Sequence, residues 1–133
     1  MMAWSVHRAL YSMMPYEKFV AWKVTHQLAL EVYRVTESWR GIERYELTSQ
    51  TRRAALSAAT NIAEGSAKRG VPEFRRFIDI SLGSLSELSY LLRFSRDRGI
   101  LNDQEFSHID QLRANAGTLT WRLYACLTRK RRD

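Results

Sequence analysis

The 133-residue chain predicts an all-α fold, an antiparallel up-down-up-down four-helix bundle. Three observations carry that prediction. Apolar residues recur at three- and four-residue steps over four long segments, the spacing that gathers side chains on one helical face. Proline occurs twice and glycine six times, so the periodic segments run long. The connections between them are short, which makes consecutive helices neighbours that run in opposite directions. A hydrophobic share of 45% and a charged share of 26% are those of an ordinary globular domain. A chain of this length can bury a real core without disulfides or metal.

Residues 1–15 carry no helical stripe and read as a leader or arm; Met14, just before Pro15, is a candidate natural start codon. The first helix is expected from about Glu17 to Trp39, with Val20, Val24, Leu28 and Val35 on one side. Trp22, Thr25, Ala29, Val32, Thr36 and Trp39 widen its apolar arc to about 200°, against the ~100° stripe that one core requires. Such a helix is expected to meet two surfaces. Gly41 closes it.

The second helix runs from about Glu43 to Gly65 on the stripe Leu47, Thr51, Ala54, Ala58 and Ile62. Small residues dominate that stripe, so a neighbouring helix can come close. Leu56, Ala59 and Ala63 lie roughly opposite it, and Gly65 is expected to supply a left-handed cap. After the short basic connection Ser66-Ala-Lys-Arg-Gly70, Pro72 sits in the first turn of the third helix, where its missing N–H does no harm. Phe74, Phe77, Ile78, Ser81, Leu85, Leu88 and Leu92 form its stripe, and Arg75 with Asp79 makes a one-turn pair outside. Gly99 ends it.

Asn102 followed by Glu105 is a capping-box start for the fourth helix. Phe106, Ile109, Leu112, Ala116, Leu119, Leu123 and Leu127 point inward from there. The bundle therefore spans residues 16–128, and residues 129–133 form a basic tail. Cys126, the one cysteine, lies on the apolar side of the last helix and is expected to be a buried, inert thiol. No apolar run approaches the ~18 residues of a membrane span. No export signal precedes the first helix, so a cytoplasmic protein with no membrane partner is expected.

Charge is the main compositional signal. The formal net charge is +7, and arginine supplies 17 of the 21 cationic side chains. Arginine favours bidentate contacts to phosphate and carboxylate. A basic balance suggests an acidic partner, most often nucleic acid; the alternative is a basic surface that only limits aggregation. The densest run is Arg129, Lys130, Arg131 and Arg132, an electrostatic arm or a solvated tail. With Asp133 it contributes +3 and leaves +4 on the body.

Two further basic pairs stand out. Arg52 and Arg53 could contact phosphate, or one could pair with a carboxylate at a subunit contact while the other is solvated. Lys68 and Arg69 with Arg75 and Arg76 cluster at the start of the third helix, whose free N–H groups also suit an anion. Asn61, Glu64, Ser84 and Glu87 are polar groups beside apolar stripes. A metal site in a bundle core needs a Glu-x-x-His motif from each of two helices; Glu105-Phe-Ser-His108 is a single such spacing, and His7 and His26 fall in none. A hydrogen-bonded network that fixes helix register is the expected role, with no metal and no cofactor. No nucleophile sits with a base, so no enzyme is expected. Trp22, Trp39 and Trp121 fall on or beside packed arcs and are expected to fill core or interface rather than stack on bases; Trp4 has no assigned place.

The blocks Leu47-Thr-Ser-Gln, Arg52-Arg53-Ala-Ala, Asn61-Ile-Ala-Glu-Gly65 and Leu82-Gly-Ser-Leu-Ser-Glu-Leu88 carry a resemblance. With Phe19 and Trp22, Val32-Tyr33, and Phe74 through Phe77, they make residues 16–127 similar to a family of small bacterial four-helix bundle proteins. Its founding members are encoded by intervening sequences inside large-subunit ribosomal RNA genes. The family is similar in turn to the accessory proteins of diversity-generating retroelements, which form five-fold rings and work with a reverse transcriptase and nucleic acid. The resemblance implies a non-enzymatic, basic bundle that assembles into a closed homo-oligomeric ring, a pentamer, with RNA or DNA, a reverse transcriptase or another protein as partner. The leading expectation is a nucleic-acid-associated accessory protein; the alternative is a protein–protein adaptor docking an acidic partner.

Overall fold

The computed structural model describes residues 14–132, with side chains to Arg129. The expected leader lies almost wholly outside the described residues. Among them the secondary structure is entirely helical: a 3-10 turn, Pro15–Lys18, then α1 (Val20–Thr36), α2 (Ile42–Ser66), α3 (Val71–Asp97) and α4 (Asp103–Arg132). Each helix packs on two others, α1 on α2 and α4, and α3 on α2 and α4. Four helices closed around a shared interior make a four-helix bundle.

The first helix is shorter than its pattern suggests. Phe19 adopts an extended backbone between the 3-10 turn and α1, and its ring meets Phe74 edge-on at 5.5 Å between centroids. At the other end Trp39 leaves the helix yet stays buried. Val20, expected on the core stripe, is 57% exposed. The wide arc has a simple outlet: Thr25, Leu28, Ala29, Val32, Val35 and Thr36 are all buried within one chain, because α1 faces both α2 and α4. Its breadth therefore does not require a second subunit.

The inner faces of α2, α3 and α4 follow their apolar periods. Thr51, Ala54, Ala58 and Ile62 are buried on α2, and Phe77, Ile78, Ser81, Leu85, Leu88 and Leu92 on α3. Ala59, placed opposite the α2 stripe in the sequence, is buried too. The small residues on α2 do bring α3 close: the Ser81 hydroxyl donates across to the Ala58 carbonyl at 2.7 Å. Other buried hydroxyls satisfy themselves within their own helix. Thr25, Thr36, Thr51, Ser95 and Thr120 each donate to the carbonyl four residues back at 2.7–2.9 Å, so apolar stripes can carry Thr and Ser without an orphaned donor.

Two glycines with different jobs mark the helix ends. Gly99, at φ +75°, is a left-handed cap: its N–H bonds the Arg96 carbonyl and the Ile100 N–H bonds Ser95, both at 2.9 Å, the Schellman pattern. Gly65 is not the cap expected of it. It lies inside α2, where an added Cβ would come within 2.7 Å of Phe77 Cβ and 2.9 Å of Phe74 Cδ1. It is glycine because α3 passes too near for a side chain. Opposite Gly99, the Asn102 side chain accepts the Glu105 N–H at 2.8 Å and starts α4.

Two clusters fill the interior. The larger gathers Leu28, Val32, Val35, Ala54, Ala58, Leu85, Leu88, Leu92, Leu101 and Ile109 among its members. The smaller joins Ala21 from the start of α1, Ile62 from the end of α2, Ile78 from the start of α3 and Leu127 from the end of α4. Half-buried Trp22, Phe74, Leu123 and Tyr124 complete it. Cys126 is half-buried rather than enclosed, because α4 turns Leu127 inward in its place.

Candidate nucleic-acid interface

The basic residues of the α2–α3 connection sit at the rim of the smaller core. Gly70, at φ +88°, turns the chain into α3, and its carbonyl accepts the Phe74 N–H at 3.3 Å. That turn sets Lys68 and Arg76 over one ring: the Lys68 Nζ lies 5.4 Å and the Arg76 guanidinium 4.7 Å from the centre of Phe77. Arg76 also pairs with Glu73 at 3.2 Å, one turn back. Both partners of that pair are half or more exposed, so water and salt screen it and leave the guanidinium able to exchange partners. Arg69 is exposed beside them.

Arg75 points elsewhere. The expected pair with Asp79 does not form; the guanidinium instead donates to the Tyr124 hydroxyl at 3.1 Å and lies 5.1 Å from that ring's centre. It ties α3 to α4 and is half-buried, with its Nε enclosed and unpartnered. A flat cation over a ring gains attraction from the ring's negative face, which an aspartate on the exposed side cannot match after solvent screening.

Arg52 and Arg53 occupy a separate surface, separated from Lys68 by about 20 Å of α2 at 1.5 Å per residue. Arg52 is half-buried, with its Nε donating to Thr36 Oγ1 at 2.8 Å and its guanidinium 4.5 Å over Tyr33. That anchoring ties α2 to α1. Arg53 is exposed. Both line an open groove of about 620 Å³ with Tyr33, Tyr45, Leu56 and Asn61. Arg129 is exposed near the end of α4; the helix backbone continues through Lys130, Arg131 and Arg132, whose side chains lie outside the described ones.

Of the four polar residues singled out from sequence, two are joined. Asn61 donates to the Ser57 carbonyl and hydroxyl at 2.8 and 3.0 Å, and Ser57 shares a 2.7 Å hydrogen bond with Ser84. Ser57, the link between α2 and α3, escaped sequence reasoning because a lone serine on a mixed face carries no spacing signal. Glu64 and Glu87 are exposed and take no part in that chain. Among the described residues no group of three or more His, Cys, Asp or Glu side chains could hold a metal. His26 stacks on Trp22 with centroids 5.0 Å apart, and His108 stands 3.6 Å from Glu31. The Glu31 carboxyl is held below the usual carboxylate range by hydrogen bonds from Arg34, with partial burial opposing. That pair is a surface ion pair of α1.

The family model described as 23S rRNA-intervening sequence protein matches residues 17–120, from the 3-10 turn well into α4. The chain belongs to that family. The resemblance seen in the Leu47–Gln50, Asn61–Gly65 and Leu82–Leu88 blocks is therefore genuine kinship, and the family description names no catalytic activity. Among curated proteins, none matches the chain. No helix of the described residues is long and apolar enough to cross a membrane.

Proposed function

We propose that this member of the family is a non-enzymatic accessory protein that associates with RNA or DNA through its phosphates. One observation carries the reading: Arg53, Lys68, Arg69 and Arg129 are exposed, and none of them is ion-paired among the described residues. On a chain with net charge +7, such cations attract a polyanion without reading its bases. Anisotropy titration of an oligonucleotide should show binding that falls steeply as salt rises. Neutralising Lys68, Arg69 and Arg76 together should weaken binding about equally across unrelated sequences, since phosphate contacts carry no base information. No binding at tens of micromolar protein in low salt would overturn this reading in favour of an adaptor whose cations dock an acidic protein.

We further propose that the bundle is antiparallel, up-down-up-down, and assembles into a closed homo-oligomeric ring of five. Support for the first comes from α2 and α3, where Ser57 meets Ser84, Ala58 meets Ser81 and Gly65 meets Phe77, one number rising as the other falls. Support for the second is the exposed apolar pair Tyr45 and Leu56 lining the Arg52–Arg53 groove and the resemblance to ring-forming accessory proteins. A ring would multiply the positive charge several-fold. Leu56→Arg should lower the mass by light scattering and leave helical circular dichroism intact; a native chain of monomer mass at micromolar concentration would end the ring proposal.

A further inference from the structure

α4 carries an exposed aromatic side chain, Trp121, beside the half-buried Tyr124. Its inner side buries Ile109, Ala116, Thr120 and Leu127, while Trp121, expected from sequence to fill core or interface, is 58% exposed in the single chain. The indole lies nearly parallel to the Tyr124 ring, 5.5 Å between centroids with 22° between planes. Together with Arg122, Ala125, Thr128 and Arg129 the two rings line an open groove of about 410 Å³.

A single exposed aromatic needs no explanation; the company of this one does. Arg122 and Arg129 flank the groove, and none of its six lining residues is acidic. Arg75 reaches over from α3 to hold Tyr124 by its hydroxyl and its face. The lower ring of the stack is thereby fixed and the upper ring left open to solvent. A flat π-surface between cations suits a planar group joined to a negative charge, which is the chemistry of a base on its phosphate. Bases inside a duplex have their faces covered, so only a single strand can use such a surface.

We propose that Trp121 and Tyr124, flanked by Arg122 and Arg129, form a stacking platform for the bases of single-stranded RNA or DNA. The inference deepens the electrostatic reading above and rests on it, adding a preference for unpaired strands that charge alone does not give. The platform begins just past residue 120, where the family match stops.

The test compares an unstructured single-stranded RNA, its DNA counterpart and a duplex of the same length at fixed low salt. The single strands should bind more tightly than the duplex and quench tryptophan emission, and Trp121→Phe should remove much of that quenching. Trp121→Ala should weaken single-strand binding by roughly 5- to 150-fold, the range for losing one base stack, with duplex binding unchanged and Trp121→Phe largely restoring affinity. Equal binding of duplex and single strand, unaffected by Trp121→Ala, would overturn the platform and leave the electrostatic reading standing. Absence of binding to any of the three would end both. A fall in oligomer mass with Trp121→Ala, without loss of affinity, would instead make this surface a contact between copies and overturn the inference. Because Trp121 is largely exposed, unchanged circular dichroism is expected for both variants.

Discussion

The larger core and the smaller one are closed by different side chains. Leucines from α1, α3 and the α3–α4 connection, with Val32, Val35, Ile109 and the small alanines of α2, make up most of the larger core, which also holds the buried Trp39. The smaller has four buried members, and half-buried Trp22, Phe74 and Tyr124 pack on it beside Val71, Leu82, Leu119 and Leu123. Aliphatic side chains can only be hidden, whereas an aromatic ring can bury one face or edge and offer the other to a cation. Arg75 takes that offer at Tyr124, and Lys68 and Arg76 take it at nearby Phe77. The contrast is one of degree, since Arg52 on Tyr33 and Arg96 on Phe106 show the same docking beside the larger core. What the smaller core adds is concentration: a loosely closed aromatic rim holds the basic side chains that the proposed function uses.

The largest effect should come from the aliphatic side. Leu88 is wholly buried in the larger core, and Leu88→Ala should cost about 2–5 kcal/mol, the transfer loss plus the cavity left behind. Leu127→Ala in the smaller core should cost less, because half-buried neighbours such as Leu123 and Tyr124 can settle toward the gap. Urea unfolding of the two variants decides it. Equal losses would mean that the aromatic rim packs as rigidly as the leucine core, and the comparison would fail.

A sharper version uses two glycines of neighbouring helices. Gly65→Ala drives a Cβ into Phe77 Cβ and Phe74 at under 3.0 Å, and neither the ring stem nor the backbone behind it can swing away. A loss of about 1–3 kcal/mol is expected, as for other overpacked sites. Gly83→Ala meets nothing within 4 Å in the middle of α3 and should gain up to about 1 kcal/mol from helix propensity. Opposite signs in one denaturation series would show that α3 leaves no room for a side chain at Gly65. A stabilised Gly65→Ala would show slack there.

The apolar periods made the helices and most of the buried faces legible, since a 3.6-residue repeat is a property of the local chain. Gly65 was misleading for a definite reason: glycine at the end of a periodic run has the same letter whether it turns the chain or admits a neighbour. Only the position of Phe77 separates the two cases. Arg52, Arg75 and Trp121 escaped similarly. Whether an arginine pairs with a carboxylate, a hydroxyl or a ring depends on which helix lies opposite, and the sequence names the residues without their neighbours. The two surfaces expected of α1 are α2 and α4, so its wide arc carries no information about a second subunit: a helix in a closed bundle already has two neighbours. Among the candidate site residues, the basic cluster around Lys68 was visible as charge, and its aromatic support was not.

The smallest expected effect lies outside both cores, on α1. Arg34 donates hydrogen bonds to Glu31, and His108 of α4 approaches the same carboxylate at 3.6 Å. The hydrogen bonds from Arg34 lower the Glu31 pKa most, burial opposes them, and the charges of Arg34 and His108 lower it further. The folded chain therefore binds this proton less readily than the unfolded chain does. Stability from the pair is present in full above the unfolded carboxylate value and fades as pH falls through the lower folded one. Exposed ion pairs are weak and screened by salt, so Glu31→Gln should lower the urea midpoint only slightly at neutral pH. The difference should shrink toward zero in strong acid and in high salt. A difference that persisted in acid would assign the loss to packing between α1 and α4 around the larger core. The pair would then belong with the buried contacts that separate the two cores, and not with the screened surface outside them.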